Sequence, residues 1–203
     1  KPLEEADTYR SLGNLAMIQR DHKAALGSFE IALARYTAAG HKNGTADIYR
    51  AFGETALRTG DNEKAEENYK KARAIYDETG SLVGQGYARK GLADIAFFSG
   101  NNDDARGLYE KALETFVAAG YPLGQADVLR RMGQLDLRRG YITKALEAYE
   151  TALPIYRKVR QPVGQADVYK GLGDIAYYGR NFSKALEMYD RALPNYVRAG
   201  EPL

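Results

Sequence analysis

The stretch ADVYKGLGDIA, residues 166–176, has four counterparts upstream: ADTYRSLGNLA from Ala6, ADIYRAFGETA from Ala46, GYARKGLADIA from Gly86 and ADVLRRMGQLD from Ala126. They begin 40 residues apart with no insertion or deletion, a register that chance similarity does not keep and that marks a chain built from repeated units. Nineteen residues after each start comes an alanine, at Ala25, Ala65, Ala105, Ala145 and Ala185. Four residues further stands an aromatic (Phe29, Tyr69, Tyr109, Tyr149, Tyr189), and three after that a second alanine (Ala32, Ala72, Ala112, Ala152, Ala192).

Each unit reads as two helices. In the second copy Tyr49, Phe52, Gly53 and Ala56 recur at i, i+3, i+4 and i+7, one face of a 3.6-residue period, and Ala65, Tyr69, Ala72 and Tyr76 repeat the pattern. Between them lie breakers such as Thr59-Gly60-Asp61-Asn62 and Ser99-Gly100-Asn101-Asn102, suited to a C-terminal cap followed by an N-cap. Gly40, Gly80, Gly120 and Gly200, then Gly44, Gly84, Gly124 and Gly164, mark the longer connection, and Gly84-Gln85-Gly86 reads as a turn. Small residues such as Gly53 and Ala65 let the two helices approach, while the aromatics fill space toward the next hairpin. A lone hairpin leaves one face wet, so stability requires stacked neighbours. The chain is expected to be one all-α array with repeats at about 6–45, 46–85, 86–125, 126–165 and 166–203. Pro154 and Pro194 fall inside the second helices of the last two copies, where an interior proline costs about 3 kcal/mol or a kink; those helices are expected to bend or end early. Asp136, where other copies have alanine, marks a site of strain or special contact.

Composition narrows the function. The 44% hydrophobic and 28% charged fractions are those of a folded protein. A net charge of +2 provides no global field for a polyanion, which argues against nucleic acid as a partner. With no cysteine, disulfides and thiolate chemistry are absent, and the lean is cytoplasmic. No apolar run reaches the roughly 18–20 residues of a membrane span. His22 and His41 lie in or near turns without a second metal ligand or nucleophile at workable spacing, so no catalysis, metal or cofactor is expected.

The order Tyr169, Leu172, Gly173, Ala176, Ala185, Tyr189, Ala192 resembles the tetratricopeptide repeat. The period is longer than the usual 34 residues and the closing proline is missing from its usual place. In this the chain is similar to the longer-repeat branch of kinesin light chains, spindle-orientation adaptors and the sensor regions of signalling ATPases. The third copy departs at Arg89 and Ala93, the fourth at Leu129 and Met132. The resemblance implies a right-handed α-solenoid of five stacked helix-turn-helix repeats with the first helices lining a concave surface, and a role in binding.

On that implication the second, fifth, ninth, twelfth and thirteenth positions of each unit face a ligand. The fifth is always basic (Arg10, Arg50, Lys90, Arg130, Lys170) and the ninth always polar (Asn14, Glu54, Asp94, Gln134, Asp174). The second is Asp7, Asp47, Tyr87, Asp127 and Asp167. One reading is a ladder of cations gripping acidic groups of an extended peptide. The other is self-satisfied pairing: Arg50 with Glu54, Lys90 with Asp94 and Lys170 with Asp174 are i, i+4, worth a few tenths of a kcal/mol each. Carboxylates among the cations favour a mixed-charge partner. At the twelfth and thirteenth positions Phe97-Phe98 and Tyr177-Tyr178 stand about 100° apart on a helix, so one of each pair is expected in the core and the other on the groove as an anchor.

The closing AGEPL matches the AGYPL before Gly124, and Leu186, Tyr189 and Leu193 keep the internal apolar pattern. An array excised from a longer chain, or a last repeat that packs on another copy, is the expectation. The leading function is a protein-interaction module; the alternatives are a self-associating scaffold and the sensor arm of a larger signalling ATPase.

Overall fold

The computed structural model describes residues 2–199, and among these there are ten α-helices and no strand. They are α1 Pro2–Ile18, α2 His22–Ala38, α3 Lys42–Arg58, α4 Asn62–Thr79, α5 Leu82–Phe98, α6 Asn102–Ala118, α7 Pro122–Arg138, α8 Ile142–Lys158, α9 Pro162–Tyr178 and α10 Phe182–Ala199. The 40-residue period is thus five helical hairpins. Contacts gather them into two compact units, residues 1–115 and 116–203.

Both units are built the same way inside. Within a unit a second helix packs on its own first helix and on the first helix of the next hairpin: α2 on α1 and α3, α4 on α3 and α5, α8 on α7 and α9. The recurring alanines seat these contacts, with Ala25, Ala65, Ala105 and Ala145 fully buried. The glycines at the helix contacts have a more specific task than helix approach: Gly13, Gly53, Gly91, Gly133, Gly171 and Gly173 each make room for a ring. In the first unit the Tyr69 ring lies between Gly53 and Gly91, where an added Cβ would come within 3.0 and 2.4 Å of it. In the second unit Tyr149 lies in the same way between Gly133 and Gly171, at 2.7 and 2.5 Å. Real Cβ atoms essentially never come closer than 3.0 Å, so at Gly91, Gly133 and Gly171 the helices close around an aromatic only because the side chain is absent.

Gly44, Gly84, Gly124 and Gly164 do not belong to the connections, as their spacing suggested. All four lie in the first turn of a first helix, and Gly84-Gln85-Gly86 is helical within α5. They face a second ring of the preceding helix; a Cβ on Gly44 would lie 2.5 Å from Tyr36, and one on Gly164 2.3 Å from Tyr156. The positive-φ work of the turns falls to Gly60, Gly100 and Gly140 within hairpins and to Gly40, Gly80 and Gly120 between them. Arg20, Arg160 and Arg180 adopt the same left-handed conformation without glycine's freedom. Asp21 and Asp61 cap the following helices by accepting from Ala24 N at 2.9 Å and Lys64 N at 3.1 Å.

Neither proline ends its helix. Pro154 lies inside α8 and Pro194 inside α10, and α8 runs 17 residues as α2 does. Both prolines are on exposed faces, so the carbonyl four residues back that each leaves unbonded can turn to water. Asp136 is buried, 2% exposed.

Candidate functional site

In the first unit the acidic second positions are pinned by tyrosines from the second helices. Tyr36 Oη donates to Asp7 at 2.5 Å and Tyr76 Oη to Asp47 at 2.5 Å. Arg10 then spans two hairpins, bonding Asp7 and Asp47 at 3.1 Å each. The second unit repeats this: Tyr156 Oη donates to Asp127 at 2.7 Å, Tyr196 Oη to Asp167 at 2.8 Å, and Arg130 reaches Asp167 at 3.3 Å. At Arg10 and Arg130 the basic fifth position is therefore a bridge to the next hairpin's aspartate, 37 residues on. Burial raises the Tyr36 hydroxyl to about 12, with its bond to Asp7 adding to the shift. For Arg130, burial opposes the charge, but Tyr156 and Asp167 more than offset it and its pKa is raised.

The remaining ionic positions divide by copy. Lys90 pairs with Asp94 at 2.8 Å, their side chains 17% and 6% exposed, and Tyr109 Oη donates to the same carboxylate at 2.5 Å. Lys170 pairs with Asp174 at 3.3 Å with its own side chain 61% exposed, and Tyr189 Oη bonds Asp174 at 2.9 Å. Glu54 bonds Arg58, not the expected Arg50, at 3.2 Å. Gln134 accepts from Arg131 at 3.0 Å, and Asn14 is exposed on α1. Arg50 sits over the Tyr87 ring, 5.4 Å from its centroid.

The aromatic pairs behave differently in the two units. Phe97 is 9% exposed and Phe98 55%, so that pair divides between core and surface as its spacing requires. Tyr177 and Tyr178 are both exposed, at 54% and 70%, which corrects the expectation that one of them is core. Tyr177 instead packs edge-on against Tyr178 and Phe182. Tyr178, Lys170, Asp174 and Gln134 come together with Leu137 and Tyr196 around a groove of about 820 Å³ in the second unit. A smaller cavity of about 370 Å³ in the first unit is lined by Arg50, Tyr87, Asp47 and Tyr76 with the start of α5. Among the described residues no group of His, Asp or Glu converges to hold a metal, and no helix is long and apolar enough to cross a membrane.

The tyrosines that pin the aspartates were missed by helical periodicity because they lie on the other helix of the hairpin. A signal was present. Each stands 29 residues after its aspartate, and the third copy, which has Tyr87 for the aspartate, also has Phe116 for the tyrosine.

A family model described as tetratricopeptide repeat matches residues 4–78, 85–158 and 124–196. No curated protein matches the sequence. Among solved structures, BtubC (BKLC) from P. vanneervenii is 23% identical with a TM-score of 0.72, over 97% of this chain and 82% of that one. A Rap protein complexed with competence and sporulation factor is 16% identical with a TM-score of 0.85, over 97% of this chain and 55% of that one. The Rap conjugation gene regulator of plasmid pLS20, in complex with the Phr* peptide, is 16% identical with a TM-score of 0.83, over 93% and 52%. The chain thus spans about half the length of these Rap proteins, and at such identities the likeness is one of fold.

Proposed function

The chain belongs to the tetratricopeptide-repeat family, and from that premise we propose that it holds a peptide or protein segment of mixed charge against the first-helix face, with the groove of the second unit as a principal contact. The observation that carries this reading is the composition of that groove. Tyr178 is 70% exposed there, beside Lys170 and Asp174 of opposite charge and the apolar edge of Leu137. An exposed aromatic flanked by half-satisfied charges is the make-up of an interaction hot spot, and burying it against a ligand removes apolar area worth about 25 cal/mol per Å². Two Rap neighbours bind a factor or a peptide, which agrees with this use of the fold.

The test is selection of peptides from a displayed random library on the wild-type chain, followed by affinity measurement with Tyr178→Ala and Lys170→Glu. Both side chains are exposed, so helical content and melting should hold while affinity falls at least tenfold. Selected peptides that bind both variants as tightly as wild type would place the contact elsewhere.

A second reading has its own observation. On α10 Phe182, Leu186, Leu193 and Val197 are 61%, 62%, 47% and 61% exposed, an apolar face suited to a second copy. Sedimentation across concentration, with and without Leu193→Glu, separates the two: a monomer at all concentrations removes self-association.

A further inference from the structure

The second helix α4 departs from its counterparts along one face. Arg73 stands where the other copies have Leu33, Leu113, Leu153 and Leu193, Glu66 where three of them have Leu26, Leu146 and Leu186, and Lys70 where the others carry an acid. In the second unit Leu153 packs onto the core that Leu172 and Ile175 also join. In the first unit the counterparts of those two, Leu92 and Ile95, have charged side chains beside them instead, and a groove of about 820 Å³ opens between α4 and α6 with the end of α5 as its floor. Leu92, Ile95 and Ala96 of α5 and Leu108 of α6 make that floor apolar. Leu92 and Ile95 are fixed from below by the cluster around Ala65 and Tyr69.

The walls are charged in a definite order. Glu63 and Glu66 on α4 and Asp103 and Asp104 on α6 lie toward the helix starts, whereas Lys70 and Arg73 on α4 and Lys111 on α6 lie further along. Both are second helices and run the same way, so the two walls carry acid at one end and base at the other. Glu66 and Lys70 hold each other at 2.6 Å and Arg73 holds Asp77 at 3.5 Å. These are exposed pairs within one helix, which a partner's charges displace at small cost.

We infer that this groove docks an amphipathic helix of another protein, antiparallel to α4 and α6, with an acidic first turn, an apolar stripe and a basic last turn. The stripe packs on the apolar floor, the arrangement of a helix laid in a groove. The acidic turn lies over Lys70, Arg73 and Lys111, and the basic turn over Glu63, Glu66, Asp103 and Asp104. A helix dipole favours the same charges at its own ends, so antiparallel is the direction in which the partner's internal and external electrostatics agree, and charge order sets the direction of docking. Glu63 and Arg73 are about 15 Å apart along α4, about three turns of such a helix. The site lies in the other unit from the groove proposed above, on the second-helix side, and does not rest on that reading.

The probe is a fluorescein-labelled helical peptide with two glutamates first, leucines at i, i+3, i+4 and i+7, and two lysines last; the control has the same composition with glutamates and lysines exchanged. Anisotropy titration of the 203-residue chain should show saturable binding, at least tenfold tighter for the first peptide, with the preference shrinking as salt rises. Glu66→Leu with Arg73→Leu restores the side chains of the other copies, so it should fill the groove and weaken the peptide at least tenfold while the melting temperature holds or rises. Lys70→Glu with Arg73→Glu should abolish the preference for the first peptide. The inference is overturned if neither peptide saturates, if the exchanged peptide binds as tightly, or if the double leucine variant binds as well as wild type. Sedimentation showing a dimer that the double leucine variant loses would give the groove to a second copy and overturn it too. Tyr178→Ala and Lys170→Glu should leave these titrations unchanged, so their failure with library peptides would refute only the reading of the second unit.

Discussion

Glycine to alanine is a single chemical change whose sign should reverse with position in this chain. Gly27 in α2 and Gly107 in α6 have nothing within 4 Å of an added Cβ. There alanine gains its intrinsic helix preference, about 0.8–1 kcal/mol per site. Gly171 in α9 is as helical, but its Cβ would lie 2.5 Å from the Tyr149 ring, which is held from the other side by Gly133 at 2.7 Å. The ring cannot retreat, so α9 must move off α8 or Tyr149 must leave its rotamer. Overpacking of a closed core costs about 1–3 kcal/mol; set against the helix gain, the net loss is between about 0 and 2 kcal/mol, toward the upper end where the ring is clamped from both sides. Urea unfolding followed by circular dichroism would read both signs, with hydrogen exchange locating the loss, since repeat arrays need not unfold as one unit. Tyr149→Leu should remove most of the Gly171→Ala penalty in a double-mutant cycle. If Gly171→Ala is stabilising, or if Gly27→Ala is destabilising by more than about half a kcal/mol, the ring-and-glycine account of this packing is wrong.

Two further outcomes follow from the turns and the buried phenols. Arg20→Gly and Arg180→Gly should each stabilise by about 0.5–1 kcal/mol, because a left-handed non-glycine residue costs about 1–2 kcal/mol, part of it returned by glycine's greater unfolded-state freedom; unchanged urea midpoints would show these turns to be unstrained. Stability should also fall between pH 10 and 12: burial raises Tyr36 and Tyr189 from 10.0 to about 12, so the folded state keeps protons that the unfolded state gives up, and the stability present below pH 10 is lost as the folded pKa is passed. A urea midpoint that stays flat across that window, while absorbance reports tyrosinate forming, would contradict this.

The hairpins were legible because their determinants are local. Helix faces, the Gly60 and Gly100 turns and the paired alanines all follow from spacing within about 20 residues, and a 40-residue register multiplies each signal fivefold. Gly44 and Gly164 were misplaced because glycine after a turn reads as more turn, and only the ring packed on each explains a glycine within the first helical turn. Pro154 was expected to bend α8 or end it early; the helix does not end there, and the exposed position of the proline leaves the unbonded carbonyl to water. The exposure of both Tyr177 and Tyr178 lay beyond helical periodicity, which fixes the angle between neighbours but not what covers them.

The charges on the first-helix face show why a pattern within one helix can point to the wrong partner. Arg50 and Glu54 have the i, i+4 spacing of a pair, yet Glu54 bonds Arg58, and the bridging arginines reach aspartates 37 residues away. The reason is geometric: stacking brings the fifth position of one hairpin beside the second position of the next, and that aspartate is already fixed by a tyrosine hydroxyl. At both bridging arginines the i+4 residue is an uncharged amide, Asn14 or Gln134, so the fixed aspartate has no competing carboxylate on the same helix. Where the aspartate is absent, as at Tyr87, the arginine has only a ring on that side. An array of equal repeats would present the same aspartate and tyrosine along its length; the third copy departs from it with Tyr87 and Phe116 in their places.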